Sequence, residues 1–245
     1  MPVPCRTRFV VVAPVVAALI ALGCVSGPGD EAGPGGEGDR PAPTATTPAG
    51  QDLEGTDTPQ EFMEDVGDAE RVAEAYWGAQ FKKSGLEFEP VSQLIAYERE
   101  GEVDCGGQAL GLNNAAYCSA GDFIAYDVNW AFEAFRQVGD AFIFYLLGHE
   151  YAHAIQARLG IQKEFSVDQE LQADCMAGAY IGDTERQGAL KLDDGDLKEL
   201  ADGLEAVGDD PGQPWFAEGA HGTAKQRTSA FKKGYEDSVG PCGLS

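Results

Sequence analysis

The stretch "AFIFYLLGHEYAHAIQARLG" (residues 141–160) carries two of the three histidines in a chain of 245 residues. Phe142, Ile143, Phe144, Leu146 and Leu147 place apolar side chains on every side, the pattern of a helix buried all round. Asp140 is placed to cap its start and Gly160 to end it. The spacing therefore predicts a core helix over 140–159 with "HEYAH" (149–153) in its second half. His149 and His153, four residues apart, fall on one helix face. Two imidazoles so placed can reach one zinc ion at about 2.0–2.1 Å each. Glu150 projects beside them, where its carboxylate can meet a metal-bound water instead of the metal. A pair of core histidines bonded to a glutamate would leave a similar trace, so a third ligand has to be sought.

"ELQAD" (170–174) supplies one. Ser166-Val167-Asp168-Gln169 reads as a capping box that opens a helix from about 167 to 181. Glu170 and Asp174 then share a face of that helix. Small or apolar neighbours (Leu171, Ala173, Cys175, Met176, Ala177, Gly178) mark the helix as buried, where unpaired carboxylates would be costly. In this arrangement Glu170 is the third metal ligand. Asp174 accepts the remaining ring N–H of a ligating histidine, which sets its tautomer. The expected cofactor is one Zn2+ held by His149, His153 and Glu170.

The rest of the chain frames this centre. Thr58-Pro59-Gln60-Glu61 combines a capping box with an N1 proline and opens a helix to about Phe81. Residues 91–100 and 122–128 read as strands, and the glycine-rich "GEVDCGGQALGLNNAAYC" (101–118) between them as loop. Short helices follow at 129–137 and 194–206. A Pro/Gly loop then leads to a last helix, capped by Thr223 and Gln226 and running to about Lys233.

Charge excludes some partners. With 41 acidic against 17 basic residues, the formal net charge is −24, a field that repels nucleic acid and anionic membrane surfaces. Nucleic acid is excluded as a partner, and membrane contact is expected only through an anchor. That anchor is legible at the N-terminus. Arg6 and Arg8 precede an apolar run of about 14 residues, too short for a comfortable span of about 20. Ala21-Leu22-Gly23-Cys24 resembles a bacterial lipobox. Residues 1–23 therefore read as a lipoprotein-type signal, Cys24 as the lipidation site, and 24–57, rich in Gly, Pro, Thr and Asp, as a disordered tether. The folded domain spans 58–245. An ordinary cleaved signal is the alternative, and either places the protein outside the cytoplasm. Four cysteines remain: Cys105, Cys118, Cys175 and Cys242. Three pairings are open. Cys105–Cys118 would close the glycine-rich loop and Cys175–Cys242 would tie the C-terminal tail to the core, which favours that pair.

At these residues the chain resembles a known group. The H-E-x-x-H plus E-x-x-x-D arrangement resembles gluzincins such as thermolysin. "HEYAHAIQ … SVDQELQADCMAGAY … HGTAKQRTSAFKKGY", with "CGGQALGLNNAAYCSAGDFIAYD", resembles the bacterial putative neutral zinc metallopeptidase family over about 105–235. Ala152 and Ala154 depart from that family's pattern, which has a glycine before the second histidine and another histidine after it. The resemblance implies an α+β, zincin-like fold with a mainly helical core and a small β-sheet, one edge of which could align an extended peptide. It implies a zinc-dependent peptidase acting on peptide or protein substrates, with Glu150 as general base and His221 as donor to the oxyanion. His221 could equally be a surface-loop histidine bonding the helix start. Two rivals stand beside the peptidase: a non-catalytic zinc-binding exported lipoprotein of the same fold, and an exported structural domain whose polar cluster is a buried network.

Overall fold

The computed structural model describes residues 51–52, 57–210, 212, 214 and 219–244. The signal segment 1–23, Cys24 and most of the tether lie outside them. Two residues of that tether, Gln51–Asp52 (β1), pair in parallel with Leu190–Lys191 (β7). This differs from a wholly disordered segment, because backbone pairing asks nothing of apolar side chains.

Helix α1 (Pro59–Lys83) opens on Thr58, whose hydroxyl accepts from Glu61 N while Glu61 reaches back to the Thr58 backbone. Its buried face, from Phe62 through Val66, Ala69, Ala73 and Trp77 to Phe81, packs against the core. Strand β2 (Gln93–Tyr97) follows, then a small hairpin of β3 (Asp104–Cys105) and β4 (Gln108–Ala109). Strands β5 (Ala115–Cys118) and β6 (Phe123–Asp127) complete a mixed sheet in the order β2-β6-β5, with β2 parallel and β5 antiparallel to β6. The segment 101–118, expected to be loop, thus contributes an edge strand. Ala115–Cys118 lacks β-branched residues, so nothing local announces it. Its extended state comes from pairing with β6, a tertiary effect. The disulfide Cys105–Cys118 closes the hairpin onto this strand.

Asp127 ends β6 and caps α2 (Val128–Val138), accepting from Asn129 N and Trp130 N. Helix α3 (Ala141–Arg158) is buried without a break from Ala141 to Ala152. Helix α4 (Ser166–Arg186) runs beside it and extends five residues beyond the expected end. The capping box expected at Ser166–Gln169 does not form. Phe165 is the N-cap and makes no side-chain cap bond, while Gln169 reaches past it to Lys163 N and Ile161 O. Helix α5 (Asp196–Ala206) and helix α6 (Ala224–Asp237) complete the core. Thr223 and Gln226 form the capping box of α6. Among the described residues no helix is long and apolar enough to cross a membrane.

The contact of α4 with α6 is backbone against backbone. A Cβ on Gly178 would sit 2.0 Å from Phe231 O, one on Gly182 2.3 Å from Tyr235 O, and one on Gly234 1.8 Å from Cys175 O. Glycine at three crossing points lets the two helices approach more closely than side chains would permit. The disulfide Cys175–Cys242 then ties α4 to the short 3-10 turn Gly240–Cys242 beyond α6. Closing a loop between residues 67 apart removes about 4 kcal/mol of unfolded-chain entropy on the loop-closure account.

Gly234→Ala tests this crossing. In an open helix the change would gain up to about 1 kcal/mol. Here forced separation of α4 and α6 is expected to reverse the sign and cost about 1–3 kcal/mol in urea unfolding.

Candidate metal centre

His149, Glu150 and His153 come from the second half of α3, and Glu170 and Asp174 from the first half of α4. The register of these two helices brings the two imidazole Nε2 atoms and the Glu170 carboxylate together. His149 Nε2 lies 3.0 Å from Glu170 Oε2 and 3.1 Å from His153 Nε2, and His153 Nε2 lies 3.4 Å from Glu170 Oε1. Ligands about 2.0–2.1 Å from a tetrahedral ion stand about 3.3 Å from one another. The observed separations lie close to that edge, with Glu170 meeting each histidine through a different oxygen. Two facing imidazole nitrogens at 3.1 Å cannot both donate to each other, so a shared electrophile suits them better than a direct bond. The three residues could hold one metal ion.

The outer partners are equally specific. Asp174 Oδ1 stands 2.9 Å from His149 Nδ1, off the axis of the ring N–H, so the contact is electrostatic and not an aligned hydrogen bond. Asp174 is fully buried and takes three further bonds: Tyr145 Oη at 2.7 Å, Arg227 Nε at 2.9 Å and Arg227 Nη2 at 3.0 Å. Arg227 also donates to Tyr145 Oη and to Val207 O. His153 Nδ1 is paired with Gln156 Oε1 at 2.8 Å. The amide orientation of Gln156 is set because its Nε2 donates to Gln169 O and Gln172 Oε1. Tyr145, Gln156 and Arg227 escaped the sequence reading. Gln156 stands three residues beyond His153 and was within reach of a helical-spacing argument. Arg227 lies 53 residues from Asp174 and left no local signal.

Glu150 sits apart from the triangle. Its Oε2 accepts the backbone N–H of Tyr117 on β5 at 2.7 Å, so the missed strand is what orients it. His149, Glu150, His153 and Glu170 line a cavity of about 1040 Å³, together with Tyr117, Trp130, Arg227 and His221. His221 reaches this wall from the loop before α6. Its backbone N–H and that of Gly222 both donate to Asp209 Oδ2 at 2.7 Å. Its side chain is 53% exposed, and among the described residues it makes no contact with the triad.

Burial opposes charge on these histidines, yet the carboxylates win. Burial lowers the His149 pKa, but Asp174 and Glu170 outweigh it and lift the value from 6.5 to about 10. Burial likewise lowers His153, and Glu170 brings it back above its ordinary value. Burial raises Glu170 and Asp174. The two imidazoles beside Glu170, and His149 with Arg227 beside Asp174, pull both below the usual carboxylate range. The metal-free centre is a charged cluster in balance, in which a proton on His149 stands where a cation would.

Comparison with known proteins agrees with this chemistry. A family model described as "Putative neutral zinc metallopeptidase" matches residues 16–242. The chain belongs to that family. An uncharacterized protein, YpfJ, of Escherichia coli (strain K12) is 31% identical over 190 residues, covering 67% of this chain and 64% of its own. A second, Mb2605 of Mycobacterium bovis, is 33% identical over 116 residues, 38% of this chain and 40% of its own. This zinc metallopeptidase family member thus spans less than two thirds of the length of either relative. No solved structure matches it.

The His149 shift sets a pH dependence. Its folded value of about 10 exceeds the ordinary 6.5, so the stability its proton contributes is complete below 6.5 and lost as pH rises through about 10. Metal-free protein is expected to lose melting temperature between pH 7 and 10 more steeply than zinc-loaded protein, whose imidazoles are neutral. Differential scanning fluorimetry of the two forms side by side measures the difference.

Proposed function

We propose that the protein is a zinc-dependent peptidase that hydrolyses peptide bonds with a water activated at the His149–His153–Glu170 centre. One observation carries the reading: two imidazole nitrogens 3.1 Å apart, each within 3.0–3.4 Å of a Glu170 carboxylate oxygen on a cavity wall, with the Glu150 carboxylate on the same wall outside this group. Three protein ligands leave a fourth position for water, as in hydrolytic zinc sites. Zinc, when bound there, supplies Lewis acidity that acidifies the water and polarises the substrate carbonyl.

The chain's own residues do the rest. Asp174 and Gln156 hold the rings of His149 and His153 with Nε2 turned inward. Glu150 takes the proton the attacking water sheds and delivers it to the departing amine nitrogen, so one carboxylate serves as base and then as acid. The Tyr117 N–H keeps Glu150 aimed. His221, on the cavity wall, donates to the oxyanion of the tetrahedral intermediate. Strand β5 is an edge of its sheet, and Ala115 to Tyr117 line the cavity. An extended peptide can therefore lie along β5 by backbone pairing, with peptide or protein as the substrate class.

Two disulfides favour an exported protein. Within that setting we assign residues 1–23 to a signal, Cys24 to lipidation and the following segment to a tether. Globomycin-type inhibition of signal processing, with a mass shift lost in Cys24→Ala, tests the anchor.

Glu150→Gln is expected to retain one zinc per chain while its kcat on a peptide library falls by about 10²–10⁴-fold. Unchanged turnover would remove Glu150 from the chemistry. Zinc binding with no cleavage by the wild type would favour the non-catalytic reading. Asp174→Asn is expected to weaken zinc affinity by about 10–100-fold, read by competition with a chromogenic chelator.

A further inference from the structure

His153 stands at the head of a chain of hydrogen bonds that leads out of the metal centre. Its Nδ1 is 2.8 Å from Gln156 Oε1, Gln156 Nε2 donates to Gln172 Oε1 at 3.1 Å, and Gln172 Nε2 donates to the Cys242 carbonyl at 2.8 Å. Gln156 is 1% exposed and Gln172 9%, so both amides depend on these partners.

The chain has a fixed direction. A carbonyl can only accept, so Cys242 O turns Gln172 Nε2 towards itself and Gln172 Oε1 towards Gln156. Gln156 in turn presents Nε2 to Gln172 and Oε1 to His153. The donor of the His153 ring is thereby Nδ1, and Nε2 keeps the lone pair that a metal needs. Gln156 Nε2 has a further acceptor in Gln169 O. Without Gln172, one N–H of this buried amide loses its acceptor, and the group that aims His153 is held from one side only.

The far anchor belongs to the C-terminus. The turn Gly240–Cys242 meets α4 twice: Cys242 is bonded through sulfur to Cys175, and its carbonyl accepts from Gln172. Cys175 directly follows Asp174, the carboxylate beside His149. One short piece of α4 therefore supports both histidines, and the disulfide fixes that piece to the tail. Gln172 does not line the metal cavity. It lines a separate cavity of about 580 Å³ with Cys175 and Pro241, and the two cavities share no lining residue. Its influence on the centre has to pass through Gln156.

We propose that Gln172, anchored on the Cys242 carbonyl, is a positioning residue for His153, and that the Cys175–Cys242 disulfide raises the zinc affinity of the centre through it. The inference rests on reading His149, His153 and Glu170 as zinc ligands. The disulfide then does more than close a loop: it holds in place the carbonyl that sets the tautomer of a ligand.

The test measures zinc affinity of the full chain by competition with a chromogenic chelator. Gln172→Met keeps the side-chain length and removes both bonds, and should weaken zinc binding by about ten-fold. It should also shift the d–d absorption of the cobalt-substituted protein, because the His153 ring is freer to turn. Val66→Ala, a core truncation on α1 outside the relay, is the control. It should lower the melting temperature and leave zinc affinity and the cobalt spectrum unchanged. Replacing Cys175 and Cys242 together by serine should weaken zinc binding by a similar factor, with no thiol left to compete for the metal. Adding Gln172→Met to that pair should weaken it no further, since both changes break the same link. Unchanged affinity in Gln172→Met would overturn the inference, and so would two losses that multiply to about a hundred-fold. If the serine pair does not fold, Gln172→Met and its cobalt spectrum decide alone. A wild type that binds no zinc would overturn the reading of the centre itself, and this inference with it.

Discussion

The Asp174 carboxylate is the buried charge around which the centre is assembled. It has no access to solvent and is shared by His149, Tyr145 and both donor edges of Arg227, which belong to α3 and α6. A carboxylate so buried is tolerable only if every partner is in place. The same contacts that satisfy it therefore fix the register of α3 on α4 and the approach of α6. That register is what sets His149, His153 and Glu170 on one triangle. Folding and the candidate metal site are one electrostatic problem, solved once.

Helix packing supplies the precision that charge alone would lack. The α4–α6 crossing, with glycine at Gly178, Gly182 and Gly234, brings Arg227 within reach of a residue 53 positions away. On the other side, β5 delivers the Tyr117 N–H to Glu150. The cavity between these elements is thus bounded by a rigid helix pair and a sheet edge, the combination in which an extended chain can be held against a fixed centre.

At the far end of α3 the buried Asp140 caps the helix start, and the buried Asp196 accepts from Asp193 N at the start of α5. Carboxylates beside the N-termini of α3 and α5 gain from the helix dipoles, worth about 0.3–1 kcal/mol each.

The histidine pair, its glutamate and the carboxylates of α4 were legible because helical spacing is a local property: i and i+4 share a face wherever the helix lies. The capping boxes of α1 and α6 were legible for the same reason. The expected box at Ser166–Gln169 had the right letters, but Gln169 found partners in the preceding loop. Strand β5 was hidden because its two alanines favour no strand and a single tyrosine, Tyr117, is too short a signal; its extended state comes from pairing with β6. Arg227 and Tyr145 were hidden because their partners are distant in the chain. The sequence by itself determined which side chains share a face and which segments must be buried. Only the tertiary structure decided which faces meet, because a buried charge chooses its partners across the fold and leaves no periodicity behind.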